Sequence, residues 1–165
     1  MRLFAAIELS DEMKKAITKT MHELKKKGVG GSYVPMANLH LTLAFLGEID
    51  DPGSVKDALG TISFKPFRLA FADLGSFGNL IWIGAKGNQG LSSAARVVRE
   101  ALDHAGIEYD RKKFKPHITI VRRASGNWKG IAPPKGDMMV KKISLMKTTF
   151  KDGRPVYTEI GSFPL

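Results

Sequence analysis

Apolar residues recur along the chain with two different periods, and the switches between them outline its secondary structure. Residues 2–8 read as a strand of mixed burial. Ser10 can cap a helix beginning at Asp11, where Met13, Ile17, Met21 and Leu24 recur at steps of four, four and three and mark one apolar face. Lys25, Lys26 and Lys27 suit its last turn, because cations complement the negative end of the helix dipole, and Gly28 suits its stop. A glycine-rich loop over 28–31 leads toward Leu39. Across 39–46 the period becomes two: Leu39, Leu41, Leu43 and Phe45 face one way, and His40, Thr42 and Ala44 the other. Asp51 and Pro52 then supply the cap and first turn of a short helix ending near Leu59.

The second half repeats this order. Strands are expected over 67–74 and 80–85. Leu91, Ala95, Val98, Leu102 and Ala105 form a helical stripe that Gly106 ends. A basic loop over 111–116 closes with Pro116, which disfavours helix before it and delivers the chain into a strand over 117–121. A strand over 140–147, a turn at Asp152-Gly153 and a last strand over 156–163 complete the chain. From Ile7 to His40 is 33 residues and from Ile83 to His117 is 34, and both intervals hold a helix, a polar loop and then His-x-Thr. The pattern predicts an α+β protein of two lobes related by a pseudo-twofold, each containing a β-α-β unit. No linker-like stretch separates them, so one bilobed domain over 1–165 is expected.

Composition narrows the function. The 165 residues include 26 Lys and Arg against 16 Asp and Glu, a formal net charge of +10. Such an excess suits an anionic partner, RNA or a phosphorylated metabolite, and equally a lysine-rich soluble surface. There is no cysteine, which removes a disulfide framework, a thiol nucleophile and a Cys zinc site, and fits a reducing compartment. The first apolar stretch, from Leu3, meets Glu8 too early for a signal-peptide core, and no stretch is long enough to span a bilayer. The expectation is a cytoplasmic protein with no membrane association.

Four histidines occur, His22, His40, His104 and His117, and only His40 and His117 fall in strands, each with Thr two residues later. Period two places His and Thr side by side on one sheet face, opposite Leu41 and Leu43 in one strand and Ile118 and Ile120 in the other. A lone His-x-Thr is an ordinary strand segment. Two of them, at matched places in two half-repeats, point to phosphodiester chemistry. Imidazole titrates near neutrality and can serve as base or acid, one on each side of a phosphorus, while each hydroxyl donates to a non-bridging oxygen. The pseudo-twofold leaves the two histidine roles interchangeable. His22 and His104 are read as surface or capping residues.

Several further residues surround these motifs. Arg111, Lys112, Lys113, Lys115, Arg122 and Arg123 flank the second and can attract an RNA backbone. Strict alternation puts Arg122 on the Ile118 side, so a bend at the strand end is needed for it to reach phosphate. Phe4 either stacks on a base or fills the core, and Trp82 and Trp128 share that ambiguity. Neither motif has a second His or carboxylate at helical ligand spacing, so no metal and no cofactor are expected. Gly28, Gly30 and Gly31 lack the following Lys-Ser/Thr of a nucleotide-binding loop and read as a flexible turn.

On these residues the sequence resembles the 2H phosphoesterase superfamily, and within it the RNA 2′,3′-cyclic phosphodiesterases, the LigT-like or 2′-5′ RNA ligase family. The likeness covers nearly the whole chain. It includes Arg2-Leu3-Phe4-Ala5-Ala6-Ile7, Asn38-Leu39-His40-Leu41-Thr42-Leu43 followed by Phe45-Leu46-Gly47-Glu48, and Lys115-Pro116-His117-Ile118-Thr119-Ile120 with Arg122. It extends to Ser144-Leu145 and residues 153–157. Ala44 stands where many members carry a basic or larger polar residue.

The resemblance implies two lobes of mainly antiparallel sheet with outer helices and a central cleft. It also implies metal-independent opening of an RNA 2′,3′-cyclic phosphate to a 2′-phosphomonoester. By the same analogy His40 is the proton donor to the 3′ oxygen and His117 the proton acceptor from water. Thr42 and Thr119 hold the phosphate, and Arg122 and Phe4 are candidate substrate contacts. Two alternatives use the same site: 2′-5′ ligation of tRNA halves, or hydrolysis of a small cyclic phosphate or 2′-5′ oligonucleotide. A third, of another class, is a basic RNA-binding module without catalysis. The expected partner is RNA with a cyclic phosphate end, tRNA included, and the expected state is a monomer.

Overall fold

The computed structural model describes residues 1–164. The first half runs β1 (Arg2–Glu8), α1 (Asp11–Lys26), β2 (Gly30–Tyr33), a 3-10 turn (Met36–Asn38), β3 (His40–Glu48) and α2 (Pro52–Leu59). The second runs β4 (Phe67–Phe77), β5 (Leu80–Lys86), α3 (Asn88–His104), β6 (His117–Ser125), β7 (Asp137–Val140), β8 (Lys142–Lys151) and β9 (Arg154–Pro164). The strands form two sheets in the orders β3-β1-β8-β9 and β2-β6-β5-β4-β7, with every pairing antiparallel. The expected α+β architecture of two sheet-based lobes is present.

Local chemistry accounts for the helices. The Ser10 hydroxyl accepts from the Met13 N–H at 3.3 Å, and the Asp51 carboxylate accepts from Gly53 and Ser54 N–H groups at 3.1 and 3.4 Å. Met13, Ile17, Met21 and Leu24 of α1 are buried as their spacing requires, each worth roughly 1.5–3 kcal/mol of apolar transfer. In α3, Leu91, Ala95, Val98 and Leu102 are buried, whereas Ala105 is the exposed C-cap. Gly106 follows it at φ 70°, the left-handed conformation that lets the chain turn away. These faces join Leu3, Ala5, Leu41, Ile83, Ile118 and Ile143 in one continuous core. On the other face of β1, Phe4 and Ala6 pack with Met146 and Tyr157 in a small separate cluster. Residues 3–7 are therefore buried on both faces.

The half-repeat is visible in strand register. Ile7 pairs with Leu41, the residue after His40, and Ile83 pairs with Ile118, the residue after His117. Moving inward, Ala6 pairs with Thr42 and Trp82 with Thr119. Both ladders then slip at the same step. Ala5 pairs with Ala44, passing over Leu43, and Ile81 pairs with Val121, passing over Ile120. Each motif strand thus carries a β-bulge at the third residue after its histidine, where two residues oppose one and the alternation of faces resets.

Three expectations change. The alternation across 39–46 does not persist: beyond the bulge Ala44 is core, at 1% exposed, and Phe45 is turned outward, at 42%. The strand expected over 140–147 is two strands in different sheets, β7 on β4 and β8 between β1 and β9, separated by Lys141. The glycine-rich segment is partly ordered as β2, which pairs with β6. Gly31 sits there at φ 133°, and a Cβ on it would meet the Arg122 carbonyl at 2.8 Å, so a close backbone approach requires glycine.

Candidate active site

β3 and β6 approach one another where the two sheets meet, and a cleft of about 1340 Å³ opens there. His40, Thr42, His117 and Thr119 all line it, so the fold brings together the four residues singled out by the paired motifs. Arg122 lines it too. The bulge at Ile120 supplies the bend that strict alternation lacked, burying Val121 and turning Arg122 to the histidine side. By the matching bulge at Leu43, Phe45 occupies the equivalent place in the first motif. The pseudo-twofold therefore sets an arginine and a phenylalanine at corresponding positions of one cleft.

Both imidazoles are oriented the same way. His40 Nδ1 lies 2.7 Å from the Asn38 carbonyl, and His117 Nδ1 lies 2.6 Å from the Lys115 carbonyl, each the carbonyl two residues back. A carbonyl only accepts, so Nδ1 carries the hydrogen in both rings and Nε2 is the nitrogen left for chemistry. Aromatic rings hold each imidazole. Phe4 lies 4.7 Å from the His40 ring, and Tyr157 meets it edge-on at 5.1 Å. Phe77 meets His117 edge-on at 5.1 Å, with Trp82 at 6.1 Å.

The two sites differ in their surroundings. Thr42 Oγ lies 3.0 Å from His40 Nε2, so the hydroxyl donates to that nitrogen when the ring is neutral. Burial pushes the His40 pKa down from 6.5 to about 4. The charges of Arg122, His117 and Lys14 add to the depression, and the hydrogen bond to Asn38 opposes it. In the free protein at neutral pH, His40 is uncharged.

Phe4 is a correction. It is 1% exposed and packs beneath His40, Phe45 and Tyr157, so it has no face to offer a base. It positions the His40 ring instead. Within the basic loop, Lys112, Lys113 and Lys115 line the cleft, whereas Arg111 is engaged with Asp103 at 2.6 Å. Arg123 lines the cleft and donates to the Ser32 hydroxyl at 2.8 Å. His22 and His104 are exposed on helices, away from the cleft. Trp128 packs partly buried against the core.

Phe45, Phe77, Tyr157 and Arg99 also line the cleft. Strict alternation puts Phe45 on the apolar face, and the bulge at Leu43 turns it into the cleft. Phe77 sits at a strand position with no local signature, and Tyr157 ends the 153–157 segment that shares in the family likeness. Arg99 of α3 donates from Nε to the Leu43 carbonyl at 3.2 Å and from Nη1 to the Lys112 carbonyl at 2.9 Å. It thereby ties the bulge of β3 to the basic loop, and helical periodicity alone carries no hint of that. Among the described residues no group of three His, Cys, Asp or Glu is placed to hold a metal ion, and no helix is long and apolar enough to cross a membrane.

Comparison with known proteins bears on this arrangement. Residues 7–82 match the family model described as LigT like Phosphoesterase. The chain is 31% identical to an RNA 2′,3′-cyclic phosphodiesterase of Archaeoglobus fulgidus, covering 99% of both chains. It is likewise 31% identical to the Escherichia coli protein of the same name, over 99% of this chain and 96% of that one. The crystal structure of E. coli LigT complexed with 3′-AMP superposes with a TM-score of 0.86 at 32% identity, covering 99% of this chain and 97% of that one. Likeness at this level over essentially full length, added to two His-x-Thr strands in matching register, means that the chain belongs to the LigT-like phosphoesterase family.

Proposed function

We propose that this protein opens the 2′,3′-cyclic phosphate at an RNA 3′ end to a 2′-phosphomonoester, using its two histidines as acid and base without a metal. The observation that carries the reading is the pair of imidazoles with Nδ1 tied to a carbonyl and Nε2 left for chemistry, that of His40 beside the Thr42 hydroxyl, both lining one cationic cleft. Its relatives' name, RNA 2′,3′-cyclic phosphodiesterase, supports the substrate class.

His117 Nε2 takes a proton from water as the water oxygen bonds to phosphorus. The bond from phosphorus to the 3′ oxygen breaks, and His40 Nε2 gives that oxygen its proton. Solvent then restores both rings. Thr42 and Thr119 donate to the non-bridging oxygens, and Arg122 balances the charge that builds there. His40 must first acquire a proton. An entering phosphodiester anion puts negative charge beside the ring and neutralises Arg122, so it raises the His40 pKa from its depressed value. The Thr42 hydroxyl turns from Nε2 to the phosphate in the same event.

The neutral state of free His40 favours a second reading, with His40 as base and His117 as acid. A substrate with sulfur in place of the 3′ bridging oxygen separates the two. Its thiolate leaves without protonation, so it restores turnover only to the variant that lacks the acid.

The primary test is an RNA ending in 2′,3′-cyclic phosphate, with the product identified and chelator present. The expected result is a 2′-phosphate, formed undiminished in EDTA. His40→Ala and His117→Ala should each lose about 10²–10⁴-fold in kcat while remaining folded. A 3′-phosphate product, or a fully active single variant, overturns the mechanism. Joined tRNA halves would instead support ligation. Salt-sensitive RNA binding without turnover would support a binding module.

A further inference from the structure

An RNA that ends in a cyclic phosphate has only its 5′ side left to accommodate, so it needs a single exit from the cleft. Along one wall, Arg99, Lys113 and Phe114 are shared between the cleft and a second recess of about 390 Å³ against α3. Ser92 and Arg96 add polar donors to that recess, and Glu100 and Asp103 add acids.

The acids are already engaged. Asp103 accepts from Arg111 at 2.6 Å and from the Tyr109 hydroxyl at 3.2 Å. Glu100 pairs with Arg96 at 3.4 Å, but this is an exposed pair one helical turn apart, which an incoming phosphate displaces at little cost. Arg99 is a stationary cation. Its two hydrogen bonds go to backbone carbonyls, and its guanidinium lies 5.6 and 5.8 Å from the Tyr109 and Phe114 rings. Among the described residues Lys113 has no carboxylate partner, and it is exposed between the two spaces. At another basic edge, Arg123 is bonded to Ser32.

We infer that the α3 recess is an upstream RNA subsite. The phosphodiester backbone of the nucleotides 5′ to the cyclic phosphate passes over Lys113 and Phe114 beside the fixed charge of Arg99, and Arg96 takes a phosphate beyond. This rests on the cyclic phosphodiesterase reading and names how a polynucleotide is told from a mononucleotide. Phosphate contacts of this kind position a strand and carry no base specificity.

The test compares a 2′,3′-cyclic mononucleotide with an octanucleotide ending in the same cyclic nucleotide. Wild-type protein should show a lower KM for the octanucleotide. The variant Arg96→Ala, in the recess but outside the cleft, should raise that KM by about threefold at low salt and leave kcat unchanged, as loss of a purely electrostatic backbone contact requires. Its salt slope should fall by about 0.7, the value for one cation on a single strand. Its kcat/KM for the mononucleotide should stay within about twofold of wild type, which also reports that the variant is folded. Lys25→Ala, Lys26→Ala, on the exposed end of α1, should change neither KM. Turnover of both substrates with no advantage for length, or an equal loss on both in the Arg96 variant, overturns the subsite alone. Failure of the wild type to open either substrate overturns the cyclic phosphodiesterase reading and the subsite with it.

Discussion

His40 is held neutral by its surroundings, and the consequence can be measured in the free protein. A pKa moved from 6.5 to about 4 means that, at pH 7, the folded state binds a proton there several hundredfold less tightly than the unfolded chain does. At about 1.36 kcal/mol for each tenfold change, the difference is at most about 3.4 kcal/mol. The ring edge reaches the open cleft, so the realised value is smaller. The sign follows from linkage. Between pH 6.5 and 4 the unfolded state binds more protons at this site than the folded state, so stability rises with pH across the window and is lost on acidification. The assay has two arms. An NMR titration of the His40 ring should give an apparent pKa near 4 in free protein and a higher value with a 2′-nucleotide bound. Urea unfolding from pH 7 to pH 4 should show a steeper acid loss in wild type than in His40→Asn, which keeps a polar side chain but cannot titrate there. The difference between the two curves isolates this ring from the carboxylates that titrate below it. A free His40 titrating near 6.5, with parallel stability curves, refutes the argument that burial and the facing cations govern its charge.

Other perturbations probe the supports of the site. Arg122→Ala removes a cation that depresses His40, so its pKa should rise by NMR. The loss of a charge-assisted phosphate contact should lower kcat/KM about ten- to hundredfold, and Arg122→Lys should recover only part of it because the fork is missing. Arg99→Ala leaves the Leu43 and Lys112 carbonyls without their donors and should cost about 1–3 kcal/mol by urea unfolding. Gly75→Ala would drive a Cβ into the Trp82 ring, which packs near His117. It should destabilise by about 1–3 kcal/mol in thermal unfolding and shift the tryptophan fluorescence.

What was legible in the sequence was what neighbours along the chain decide. Ser10 and Asp51 cap helices because their side chains reach N–H groups two or three residues on. Met13, Ile17, Met21 and Leu24 share a face because a helix turns every 3.6 residues. His40 and Thr42, like His117 and Thr119, share a face because a strand alternates, and the 33- and 34-residue intervals foretold the matching registers at Ile7–Leu41 and Ile83–Ile118. The family likeness rested on these same residues.

Tertiary pairing decided the rest. A bulge is a property of two strands in register, so nothing local to residues 39–46 or 117–122 announced that Leu43 and Ile120 would be passed over. Those two slips exchanged the places of Ala44 and Phe45, brought Arg122 into the cleft, and left Phe4 beneath His40 instead of against a base. The parting of β7 from β8 into different sheets and the tie from Arg99 to the bulge are likewise contacts between residues far apart in sequence. Period and capping are short-range, so the sequence alone determined which residues form the two His-x-Thr pairs on their strand faces. Register and burial are long-range, so only the folded chain decided which way they face and how strongly His40 holds a proton.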